Sequence, residues 1–161
     1  MKLSYIKGIS FGLTSGIITT LGMMVGLHAG THSKLAVLGG VLTIAIADAF
    51  SDALGIHISE ESENVHTVKE VWESTLATFG AKFLFAITFV APILLFELSA
   101  AVWVSIAWGF FLLGAISYMM ARNQKEPAWH VIGEHWGIMA LVIVITHYVG
   151  EWISVVFSSP V

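Results

Sequence analysis

Leu35–Ile58 reads LAVLGGVLTIAIADAFSDALGIHI, and this stretch decides the fold. It contains no proline and stays apolar or small-sided for longer than the roughly 20 residues that a helix needs to cross a bilayer. Two carboxylates, Asp48 and Asp52, interrupt it. They are one helical turn apart and share a face. Asp48 falls about 13 residues, or roughly 20 Å at 1.5 Å per residue, from the start of the stretch, near the midplane of a bilayer. A charged aspartate there costs about 2.5–3.5 kcal/mol on insertion scales, and two adjacent ones repel. A shared proton, a bound cation or a water-filled cavity is needed to relieve them.

Outward from this helix, four more apolar runs of spanning length follow: Ile9–Leu27, Thr78–Phe96, Ala101–Met120 and Val131–Phe157. Gly30–Ser33 and the neighbourhood of Ser99 read as tight turns, and Arg122–Ala128 with Pro127 as a polar loop. The composition agrees: 161 residues, 57% hydrophobic, 11% charged, with a mean hydropathy of +0.85. A soluble domain carries roughly 25% charged residues. The expectation is one all-α, polytopic transmembrane domain over residues 1–161 with five spans. Residues 59–77 form a short acidic amphipathic connector. The net charge of −4 and the lack of a basic cluster speak against nucleic acid, and the absence of cysteine excludes disulfides and thiolate metal sites.

Basic residues set the orientation. With the N-terminus inside, Lys2, Lys7, Lys69, Lys82, Arg122 and Lys125 all fall on the inner side and Lys34 alone outside. The chain is therefore expected as a multi-pass protein of a prokaryotic plasma membrane, N-terminus cytoplasmic and C-terminus outside. The first apolar run reads as a retained helix rather than a cleaved leader, since His28, His32 and a further span follow directly.

Other ionisable groups suggest where an ion could enter and leave. His130, Glu134 and His135 lie near the inner end of the fifth span, and His57 at the inner mouth of the second. His147 and Glu151 sit four residues apart near the outer end. Such spacing lets two side chains hold one ion from one face, or simply marks the headgroup region. In the connector, Glu60, Glu61, Glu63, His66, Glu70 and Glu73 could gather cations or form a solvated face. His28 and His32 fit solvation, and Met23 and Met24 fit packing. Carboxylate and imidazole without thiolate suit divalent first-row ions such as Fe²⁺ or Mn²⁺, with Zn²⁺ and Co²⁺ equally allowed. Pure carboxylate suits Ca²⁺ or Mg²⁺, and an acid–histidine relay could carry protons alone. Gly8, Gly12 and Gly16, and again Gly22 and Gly26, recur every fourth residue. They suggest a dimer seam or a close contact between the first two helices.

The stretch SGIITTLGMMVGLHAGTHSKLAVLGG, Ser15–Gly40, resembles the first helix, turn and second-helix start of the vacuolar iron transporter family. SDALGIHISEESE, Ser51–Glu63, is similar to the end of that family's second helix. Phe111–Ile153 is similar to its last two helices, so the likeness covers nearly the whole chain. It implies a five-helix homodimer that exports Fe²⁺ or Mn²⁺ from the cytosol in exchange for protons: a transporter, not an enzyme, with no permanently bound cofactor. Its partners would be the lipid bilayer and the metal. The family's first-helix aspartate falls on Ser15 and its second-helix methionine on Asp52. The glutamate of its second-helix motif falls on Ile56, with His57 beside it. Most of its cytoplasmic metal-binding insert is missing, and Glu63 alone matches a family position there. The expected metal site is Asp48 with Asp52, served by Glu134, His135 and His57 within and by His147 and Glu151 without. Two other readings stand beside it: a structural or regulatory membrane protein with protonated buried acids, or a proton pathway that binds no metal.

Overall fold

The computed structural model describes residues 3–157, all helices and short links. They are α1 (Leu3–Thr31), α2 (Lys34–Glu63), α3 (Val68–Thr88), α4 (Val90–Leu95), α5 (Leu98–Gln124) and α6 (Ala128–Phe157). Five helical segments are long and apolar enough to cross a membrane, with α3 and α4 together making the third. Lys2 lies outside the described residues.

The links explain where the helices end. His32 takes a left-handed backbone (φ 52°), and the Ser33 side chain then caps α2 by accepting from the Ala36 amide. Gly30, expected in this turn, is still helical. Asn64 closes α2 in the left-handed region, which asparagine tolerates better than most residues. Thr67 and Glu70 then form a reciprocal capping box that starts α3. The connector expected over 59–77 is thus helical except for residues 64–67, and the third apolar helix begins ten residues before Thr78. Pro92 cannot donate to the Thr88 carbonyl, so the ladder breaks at Phe89 and α4 restarts the helix. The Thr88 hydroxyl accepts from the Trp108 indole at 3.1 Å, which ties this break to α5.

The bundle has two ends. The connector end holds the start of α1 and the links at 64–67 and 125–127. The hairpin end holds the links at 32–33 and 96–97 and the end of α6.

Helix α1 is the hub, and its glycines are the reason. A Cβ at Gly8 would overlap the Ser74 carbonyl oxygen, one at Gly12 that of Thr78, and one at Gly16 would lie 3.0 Å from that of Lys82. Without Cβ atoms, the α1 and α3 backbones come into direct contact, as small residues allow in membrane helices. Further along, Gly22, Gly26 and Gly30 face Val142, Thr146 and Gly150 of α6. The glycines were expected to serve a dimer or α1–α2 contact. They instead join α1 to α3 near the connector end and to α6 near the hairpin end.

The apolar core lies toward the hairpin end. Ile17, Leu21, Met24, Val37, Val41, Phe89, Ile93, Leu113 and Met139 form it.

Candidate functional site: a lysine between two aspartates

Lys82 was counted as an inner-side charge. The structure places it in the middle of its helix, fourteen residues after Val68 and thirteen before Leu95, and 1% exposed. The glycine stripe of α1 forces this: with Gly16 against Lys82, the side chain has only the α1–α2–α3 interior to enter. Its ammonium sits 2.5 Å from Asp48 Oδ2 and also contacts Asp52 Oδ2. Ser15 of α1 completes the cluster. Its hydroxyl donates to Asp52 Oδ2 at 2.6 Å and accepts from Lys82 Nζ at 2.8 Å.

The relief demanded by two acids in one apolar helix is thus met by a cation built into the chain. Two carboxylates and one ammonium still leave the cluster one negative charge in excess. The aspartates remain partly open, 27% and 20% exposed at their side chains. A groove of about 510 Å³ reaches Asp48 between Met23, Gly40, Thr43 and Ser51.

The other expected residues lie at separate levels. His57 pairs through Nδ1 with Thr75 Oγ1 at 3.0 Å. That hydroxyl donates to the Val71 carbonyl, so the imidazole donates to it. Trp72 packs edge-on against the same ring. His135 Nδ1 meets Ser117 Oγ at 2.7 Å, joining α6 to α5, while His130 and Glu134 are exposed. At the hairpin end His147 Nε2 lies 3.4 Å from Glu151 Oε1, and the His28 ring lies tilted against that of His32. Among the described residues, no group of three or more histidine, aspartate and glutamate side chains is arranged to hold a metal ion.

The connector acids divide sharply. Glu70 serves the α3 cap, Glu73 lies 4.0 Å from Lys69, and Glu61 is exposed. Glu63 lies 3.1 Å from His66. Glu60 is not on a solvated face at all. It is 0% exposed, 3.2 Å from Lys7 Nζ, and receives a hydrogen bond from the Ser74 hydroxyl.

Sequence reading missed Lys82, Ser15, Lys7 and Ser74 as site residues. The signal for Lys82 was available: the Thr-x-x-Glu pattern at 67–70 marks a helix start, and counting from it puts Lys82 four turns in.

No family model, curated protein or solved structure matches this chain. Its class therefore rests on the fold and the cluster: an all-helical chain with five helices of membrane-spanning length and an ion-paired Asp–Lys–Asp group at their centre.

Proposed function

We propose that this protein is a multi-pass membrane cation–proton exchanger, with Asp48, Lys82 and Asp52 as its exchange site. The observation that carries this reading is the Lys82 ammonium, held by both carboxylates at mid-helix. A net charge in the bilayer interior is costly, and ionisable groups there are functional by default. One proton on the cluster makes it neutral: one carboxylate, one carboxylic acid, one ammonium. A divalent cation bound by both carboxylates reaches neutrality only if the acid and the ammonium each release a proton. The exchange is then two protons per divalent ion and electrically silent. A monovalent cation would release one proton. Metal binding that displaces protons weakens as pH falls.

The family likeness supports Fe²⁺ or Mn²⁺ as cargo and a homodimer as the working form. Ser15 and Asp52, which stand at the family's first-helix aspartate and second-helix methionine, meet in this cluster. Lys7, Lys69, Arg122 and Lys125 near the connector end support a cytoplasmic placement of that end, now without Lys82.

The test is Mn²⁺ uptake into proteoliposomes with a trapped pH dye. The expected result is two protons moved per Mn²⁺, insensitivity to an imposed membrane potential, and loss of flux in Asp52→Asn and Lys82→Gln. Equal flux in those variants and wild type would remove the exchange site. The second reading, a fixed tie between α1, α2 and α3, is favoured by the Ser15 hydroxyl that completes the network. It predicts that the Asp48→Asn/Asp52→Asn/Lys82→Met triple variant folds and keeps all function.

A further inference from the structure

Two clusters of the same chemistry lie on the same three helices. In the central one, α1 supplies Ser15, α2 Asp52 and α3 Lys82. In the other, near the connector end, α1 supplies Lys7, α2 Glu60 and α3 Ser74. Each is an acid that receives a serine hydroxyl and a lysine ammonium, with serine and lysine exchanged between α1 and α3. The offset is eight residues on every helix: 7 to 15, 52 to 60 and 74 to 82. At 1.5 Å per residue the levels are roughly 12 Å apart. Between them run the glycine contacts of α1 with α3, and the Thr78 hydroxyl donates to the Gly8 carbonyl at 3.3 Å. Glu60 and Lys82 are the fully buried charged side chains among the described residues, one in each cluster.

The clusters differ in how firmly the lysine is held. Lys82 is enclosed, whereas the Lys7 side chain is 44% exposed. Lys7 also has a second acid within reach: its Nζ lies 3.8 Å from Glu63 Oε1. It can move from Glu60 to Glu63 without losing a counter-charge. Glu60 has no such freedom, being buried against the Ser74 hydroxyl.

We propose that Glu60, Ser74 and Lys7 form a second cation station at the connector-end mouth of the exchange site, with Lys7 as its movable plug. Seated on Glu60, Lys7 neutralises the station and closes it. Shifted to Glu63, it leaves a buried carboxylate and a hydroxyl oxygen, a seat for a proton or for the transported cation. No covalent step is involved. This inference rests on the exchange reading above, but its residues are separate from the central ones.

Mn²⁺ binding counted by electron paramagnetic resonance on the purified protein, alongside proteoliposome flux, tests it. The expected result is two sites per chain in wild type, one lost in Glu60→Gln and the other in Asp48→Asn/Asp52→Asn. Lys7→Gln should tighten the Glu60 site several-fold, since its competitor is gone. Glu63→Gln should weaken it and slow flux several-fold, since Lys7 then has nowhere else to sit. Glu63 is exposed enough that this variant should fold even if Glu60→Gln does not. Wild-type flux and site count in both Glu60→Gln and Glu63→Gln would overturn the second station alone. Wild-type flux and count in Asp48→Asn/Asp52→Asn would instead overturn the central reading. Absence of any Mn²⁺ binding in wild type would overturn both.

Discussion

Beside the glycine contacts that both share, the half of the bundle from Ser15 to the 64–67 link buries charges and hydroxyls, and the half from Ile17 to the hairpin links buries mostly hydrocarbon. The connector half contains Lys82, Glu60, Ser74, Thr75 and Thr78, all buried. The hairpin half buries Val37, Val41, Phe89, Ile93 and Leu113, with the Thr20 and Ser105 hydroxyls as its buried polar groups. Its histidines and Glu151 stay at the far surface. The same helices α1 and α2 run through both halves, so the contrast is written along each helix rather than between helices. The groove that reaches Asp48 runs past Met23, Gly40 and Thr43, on the hairpin side of that residue, so the central cluster opens at the border between the two halves.

The largest expected effect comes from the centre. Lys82→Met leaves Asp48 and Asp52 without the cation they share, and removing one partner of a buried ion pair costs roughly 3–5 kcal/mol. Thermal unfolding in detergent should show a large loss, and adding Asp48→Asn and Asp52→Asn should recover most of it. A Lys82→Met protein as stable as wild type would mean that the acids are already neutral. The next effect separates the two glycine stripes. Gly12→Ala pushes a methyl into the Thr78 carbonyl, and overpacking of this kind costs about 1–3 kcal/mol. Smaller again is Thr67→Ala, which removes the α3 capping box and should cost about 1 kcal/mol. The smallest is Gly26→Ala, where the new Cβ would lie 3.3 Å from the Thr146 carbonyl oxygen, a contact that a slight shift relieves. If Gly26→Ala proved worse than Gly12→Ala, the Thr146 backbone would be the less yielding neighbour and the order of the two positions would reverse.

The five apolar helices were legible because hydropathy and length suffice for them, and Asp48 and Asp52 stood out for the same reason. What hydropathy could not see was burial between helices. Val68–Ala77 looked like a solvated connector because its small polar residues, Ser74 and Thr75, read the same in water or against a glycine stripe. Lys82 looked interfacial because the third apolar run reads as beginning at Thr78, only four residues before it, although the cap at Thr67 already fixed its depth. Glu60 looked like one acid among several, and only the approach of α1 distinguishes it from Glu61. Partner identity is a three-dimensional property. Spacing along α2 set Asp52 and Glu60 two turns apart, but nothing in the sequence paired them with Lys82 and Lys7.

The direct backbone contact between α1 and α3 has one more consequence, for hydration. Where Gly8, Gly12 and Gly16 lie against Ser74, Thr78 and Lys82, there is no side-chain-wide gap to hold liquid water. The seam is closed to ions as well as to water. Any polar route to Asp52 must therefore run beside the α1–α3 contact and not through it, along faces that α2 leaves open.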